Sequence, residues 1–164
     1  MKKILILVIA CSLVFSGCKK EEEYDPQLTE FMTKLVSYST YEEAGLRNIK
    51  KYNAVFKDYF TEEGYKLFVE ALYPSIYVEF TTKNKVNRTE DIRIKKVKEE
   101  KTEDTITLLY EVTYTFRGNK KPIKFKDDMQ ITLVQQDGVY KIKRFMMLNS
   151  SGIIQEMFFK VIIA

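Results

Sequence analysis

Apolar positions along this chain repeat with two periods. Between Asp25 and Pro74 they return every three or four residues, from Ile92 to Leu148 they alternate, and over Ile153 to Ala164 the helical spacing comes back. The first period predicts amphipathic helices and the second predicts half-buried strands. Asp25 as N-cap and Pro26 as first helical residue open a helix whose stripe is Leu28, Phe31, Leu35 and Tyr38. Thr40 to Glu43 reads as a capping box, starting a helix with Leu46, Ile49, Asn53, Phe56 and Phe60 on one side and Tyr52, Val55 and Tyr59 widening it. Thr61 caps a third, shorter helix with Tyr65, Phe68 and Leu72 inward, and Pro74 stops it.

The strand region begins with Ile76, Val78 and Phe80 as a short strand, then Ile92 and Ile94, whose alternation slips at Lys96-Val97 as a bulge would make it do. From Thr105 to Phe116, Ile106, Leu108, Tyr110, Val112, Tyr114 and Phe116 form one face. Ile123, Phe125, Met129, Ile131 and Leu133 repeat the pattern, as do Tyr140, Ile142, Met146 and Leu148. Asp137-Gly138 predicts a two-residue hairpin turn. That turn sets Leu133 opposite Ile142, Ile131 opposite Arg144, Met129 opposite Met146 and Asp127 opposite Leu148. Residues 25–148 are therefore expected to be one α+β domain, with N-terminal helices packed on a strongly bent, cone-like antiparallel sheet. The order of elements, and the ending Asp137-Gly138-Val139-Tyr140-Lys141-Ile142, resembles the nuclear-transport-factor-2-like, or cystatin-like cone, superfamily, which includes ketosteroid isomerase and polyketide cyclases. The resemblance implies a fold, and fold does not by itself imply function.

The start of the chain has a different character. Lys2 and Lys3 precede an apolar run from Ile4 to Phe15, broken only by Cys11 and Ser12, and Ser16-Gly17-Cys18 follows. Basic, apolar and small-residue segments in that order are those of a signal peptide, and the run is too short for a permanent span, which takes roughly 20 residues. Phe15-Ser16-Gly17-Cys18 resembles the lipobox of bacterial lipoproteins. Cys11 fits less well, since it leaves an apolar run of only seven residues. The resemblance implies cleavage after residues 1–17 and diacylation of Cys18, while Lys19 to Glu23, with no apolar residue to bury, predict a flexible tether over 18–24. Two acyl chains are what stable membrane anchoring requires. Lys19-Lys20-Glu21-Glu22-Glu23 also resembles the surface-export signal of Bacteroidetes lipoproteins, and that resemblance implies a domain in the cell envelope, at the outer membrane or the cell surface.

Composition narrows the chemistry. Both cysteines lie in the first 18 residues, so the domain must be held by its core without a disulfide. Lys and Arg number 27 against 23 Asp and Glu, and the loss of Lys2 and Lys3 would leave a formal excess of two. Lys95, Lys96, Lys98, Lys120, Lys121, Lys124 and Lys126 are interleaved with Glu99, Glu100, Asp127 and Asp128, which reads as a solvated sheet face and gives no case for nucleic acid. The chain has no histidine, which removes Ser-His and Cys-His nucleophile pairs and histidine-containing zinc sites. No phosphate loop or calcium-loop spacing is present, and no cofactor is implied.

Two charges break the alternation, Asp127 and Arg144. In a cone pocket Asp127 would be a base raised by burial, Tyr110 or Tyr114 a hydrogen-bond donor and Arg144 an anion anchor. The competing reading puts Asp127 at a bulge or rim and lets Arg144 reach water, and it is preferred. The expected function is thus that of a lipid-anchored extracytoplasmic binding or accessory protein recognising an envelope protein or a small apolar ligand. The alternative is a cone-pocket isomerase, dehydratase or cyclase using Asp127 with Tyr110 and Arg144. The tail, residues 149–164, is expected to be helical from Ile153, packed on its own domain with an apolar edge left for a partner.

Overall fold

A computed structural model describes residues 22–148 and 152–158. Cys18, the segment before it and the last six residues of the tail lie outside them. Five helices, α1 (Asp25–Val36), α2 (Tyr38–Ala44), α3 (Ile49–Ala54), α4 (Glu62–Glu70) and α5 (Tyr73–Lys83), precede four strands, β1 (Val86–Lys101), β2 (Ile106–Gly118), β3 (Ile123–Gln136) and β4 (Val139–Met147). A short helix, α6 (Ile153–Phe158), follows. The strands form an antiparallel meander in the order β1-β2-β3-β4, a curved sheet that does not close on itself. The α+β domain expected from the periodicity is thus the one observed.

The helical half differs in detail from its sequence pattern. Tyr24 precedes α1 and Asp25 lies in its first turn, so Asp25 is not the cap. The capping box at Thr40–Glu43 does not form, because Thr40 already lies inside α2. The single helix expected from there to Phe60 is three pieces: α2 ends before Gly45, α3 is restarted by the Asn48 side chain accepting the Lys51 N–H at 3.1 Å, and a 3-10 turn covers Lys57–Tyr59. The breaks let Tyr41, Tyr52, Phe56, Tyr59 and Phe60 all reach the core, while Ile49 is left exposed.

Thr61 does cap α4, accepting the Gly64 N–H at 3.0 Å. That helix ends at Glu70, and Leu72, at φ 58°, is exposed rather than inward. Pro74 therefore does not stop a helix; it sits in the first turn of α5. The expected strand at Ile76, Val78 and Phe80 is part of α5, where Ile76, Tyr77, Phe80 and Thr81 fall on one buried helical face. A short apolar run fits both periods, and length decides between them.

The sheet follows the alternation closely. Ile106, Leu108, Tyr110, Val112, Tyr114 and Phe116 on β2 face the helices together with Phe125, Asp127, Met129, Ile131 and Leu133 on β3, in register from Ile106↔Leu133 to Phe116↔Ile123. The slip foreseen at Lys96-Val97 is present between Lys96 and Lys98. The Asp137-Gly138 turn, with φ of 52° and 78°, sets Gln136 opposite Val139 and Leu133 opposite Ile142, as expected of a two-residue hairpin.

Beyond Ile142 the register moves by one. Thr132 pairs with Arg144, Ile131 with Phe145 and Met129 with Met147, leaving Lys143 as the extra residue of a bulge. The expected pairings of Arg144 with Ile131, Met129 with Met146 and Asp127 with Leu148 are corrected accordingly, and the Leu148 N–H donates to the Asp128 carbonyl. Because side chains alternate, one extra residue exchanges the faces: Phe145 enters the core and Arg144 turns to solvent. The α4 start packs on this bulge, with the Thr61 N–H donating to the Ile142 carbonyl at 3.1 Å. Gly64 lies so close to the Ile142 and Lys143 carbonyls that no side chain fits there. Gly64→Ala is expected to cost about 1–3 kcal/mol, read as a lowered midpoint in a urea melt. An unchanged midpoint would mean that α4 does not sit on the bulge.

Candidate functional site

Asp127 is the most buried carboxylate among the described residues, at 1% exposed. β3 places it opposite Val112, on the face that meets the helices. Its Oδ2 accepts the Tyr114 hydroxyl at 2.6 Å and the Tyr77 hydroxyl at 3.2 Å; its Oδ1 accepts the backbone N–H of Ile153 at 3.2 Å. Asp127 is thus neither at a rim nor solvated. It fastens α6 to the domain, with Gly152 directly against its carboxylate and Ile153 fully buried. Ile154 and Met157 pack against the same core, so the described part of the tail is self-packed. Burial raises the Asp127 carboxyl above the usual carboxylate range, outweighing the opposite pull of the Tyr114, Ile153 and Tyr77 hydrogen bonds.

Tyr77 was hidden from sequence reasoning because residues 76–80 fit a strand with Tyr77 facing outward. Tyr114 was recognisable as a donor. Its burial, with that of Tyr77, holds both hydroxyls in the protonated, donating form.

Tyr110 and Arg144 are not brought to Asp127. The Tyr110 hydroxyl donates to Asp25 Oδ1 at 3.2 Å. There it joins a surface network in which Lys96 bridges Asp25 at 3.0 Å and Glu99 at 3.1 Å, and Lys101 bridges Glu99 at 3.0 Å and Glu22 at 3.2 Å. Burial opposes the ionisation of Glu99, but hydrogen bonds from Lys101 and Lys96 prevail and bring its carboxyl down to about 2. This network clasps the first described residues to the far end of β1, and Tyr24 adds an edge contact to Tyr140 at 5.1 Å. Arg144 is exposed on the opposite face of the sheet.

The concave face that would form a cone pocket is occupied by the domain's own side chains. Phe31 of α1 stands at its centre, in ring contact with Phe56, Tyr59, Phe60, Phe68 and Phe145. An open cleft of about 930 Å³ lies outside, between the 3-10 turn, the start of α4 and β4, lined by Phe60, Tyr65 and charges of both signs. Among the described residues no three metal-ligating side chains converge, and no helix is long and apolar enough to cross a membrane.

Fold and site together define an α+β domain built from a helical layer over a curved four-stranded meander, in which the one buried carboxylate among the described residues fastens the C-terminal helix. No family model matches the chain, and no curated protein matches it. Among solved structures it is similar to the crystal structure of an IcmL-like type IV secretion system protein from Legionella pneumophila. That similarity has 12% identity and a TM-score of 0.48, covering 76% of this chain and 91% of the other.

Proposed function

We propose that this chain is a lipid-anchored binding or accessory protein of the bacterial cell envelope, held by Cys18 and of the cystatin-like cone type, which recognises its partner on its outer surface. The observation that supports this most is the filled concave face: Phe31, Leu108, Met129 and Ile131 are fully buried where a small apolar ligand would sit. The residues of the enzymatic alternative are also apart, since Asp127 serves α6, Tyr110 serves Asp25 and Arg144 points to solvent. The clasp of Glu22 and Asp25 on Lys101 and Lys96 fits a chain that leaves the domain toward an anchor at a defined end.

Metabolic labelling with a fatty-acid analogue tests the anchor. Cys18→Ser is expected to abolish labelling and release the protein from the membrane fraction, while crosslinking in intact cells recovers a partner with the lipidated form. Persistent labelling of Cys18→Ser would overturn the assignment of Cys18.

A further inference from the structure

Of the lysines interleaved with acids along the sequence, Lys96, Lys98 and Lys126 stay paired with Asp25, Glu99, Glu100 and Glu111, whereas Lys120, Lys121 and Lys124 gather at one end of the sheet. Segments 83–88 and 117–124 meet through Val86↔Gly118 and Arg88↔Arg117, and together they hold seven cations and no carboxylate. Arg88 and Arg117 share Glu90. Lys83, Lys85, Lys120, Lys121 and Lys124 are exposed and have no acidic partner among the described residues. At the other end of β1, segments 22–25 and 99–104 hold seven carboxylates and one cation, Lys101. Asp127, which seemed to dilute the basic run in sequence, is buried beneath the sheet. The two ends are separated by the length of β1, up to about 50 Å for sixteen residues before bending.

The basic tip has little to offer an apolar contact. Val86 is buried, no aromatic residue lies in either segment, and the remaining neighbours are Asn84, Asn87, Asn119, Pro122 and a half-buried Ile123. Protein hot spots need desolvated aromatic or apolar anchors, and single-stranded nucleic acids need stacking platforms. Clustered unpaired lysines instead supply a point-charge field, which rewards a partner of high linear charge density.

We infer that this tip is the docking surface for a linear polyanion carrying a charge on every repeat, held by charge density rather than by shape. This deepens the envelope-binding reading and rests on it for orientation. An anchor at the acidic end places the basic tip away from the anchoring bilayer, toward polymer beyond the headgroups.

The test uses the full chain in detergent, with labelled long-chain polyphosphate as probe and fluorescence anisotropy as readout. Lys85→Glu/Lys120→Glu/Lys121→Glu is expected to weaken binding at least about tenfold and to reduce the salt slope by about 2 to 3, near one per cation removed. The same charge change on the helices, Lys50→Glu/Lys51→Glu/Lys66→Glu, is expected to leave the slope nearly unchanged. All substituted side chains are exposed or half-buried, and a melting curve verifies folding. Equal losses in both variants would reduce the effect to net charge and overturn the site. Absence of polyphosphate binding would overturn it as well, as would a tip that takes only phosphatidylglycerol vesicles. Loss of acylation at Cys18 would remove the orientation while leaving the binding result standing, so the two failures are distinguishable.

Discussion

Phe31→Ala is expected to destabilise the domain by about 3–5 kcal/mol, among the largest effects a single substitution can have here. Phe31 is fully buried, and five aromatic neighbours surround it at centroid distances of 5.3–5.9 Å. Truncation removes the transfer term of a phenyl ring and leaves a cavity whose walls, supplied by the 3-10 turn with its flanking residues, α4 and β4, cannot all move inward at once. Edge contacts of this kind add about 0.5–1.5 kcal/mol each beyond area, although their sum is not additive. Against a typical total of 5–15 kcal/mol, the loss would shift a urea midpoint greatly or unfold the chain. Phe31→Leu, which keeps most of the volume, is expected to lose markedly less and to remain folded. Equal, small shifts in both variants would show that α1 does not form the centre of the core.

Asp127→Ala is expected to cost about 1–3 kcal/mol from orphaned donors alone and to loosen the tail. It strips partners from two buried hydroxyls and from the Ile153 N–H at the start of α6. Hydrogen exchange should report the local part of the effect, with protection lost at Ile153 and the residues after it before the sheet opens. Asp127→Asn keeps an acceptor for Ile153 and presents an amide to hydroxyls that can accept, so it should remain folded with the tail in place.

The pair of Asp127 and Asn also has a pH signature. Burial raises the folded-state carboxyl above its ordinary value of 3.8, so the folded chain holds this proton more tightly than the unfolded chain. The contribution to stability is complete below 3.8 and is lost as pH rises through the folded-state value. Relative to Asp127→Asn, the native protein should therefore lose stability on going from acid to neutral pH. A difference that runs the other way, or none at all, would show that hydrogen bonding rather than burial governs this group.

Much of this architecture was legible in the order of residues because strand periodicity is local. The alternation over 106–116 and 123–133 marks the faces that are buried, and the turn chemistry of Asp137-Gly138 reproduces the observed pairs Gln136↔Val139 and Leu133↔Ile142. What failed were features whose energy comes from elsewhere in the fold. Residues 76–80 suit either period, and they become helix because Tyr77 and Phe80 pack against Tyr114 and Phe116 on the sheet. The bulge at Lys143 has no marker in its own strand; it is matched by α4, whose Gly64 and Thr61 meet the Ile142 carbonyl.

The candidate site shows the same division. An off-pattern Asp at position 127 and an off-pattern Arg at position 144 look equivalent in sequence, since each interrupts an apolar face by one residue. Sequence by itself determined the helix-then-sheet order, the apolar face of β2 and β3, and the absence of histidine chemistry, because these follow from residue type and nearest-neighbour spacing. Only the tertiary structure decided that Asp127 is buried under α6 while Arg144 is rotated outward, and that seven cations gather at one end of the sheet. Those outcomes depend on a one-residue register shift and on strand pairings between segments about 30 residues apart in sequence, such as Val86 with Gly118. Long-range contacts of that kind leave little trace in local pattern, because their stabilisation appears only once the chain has closed on itself.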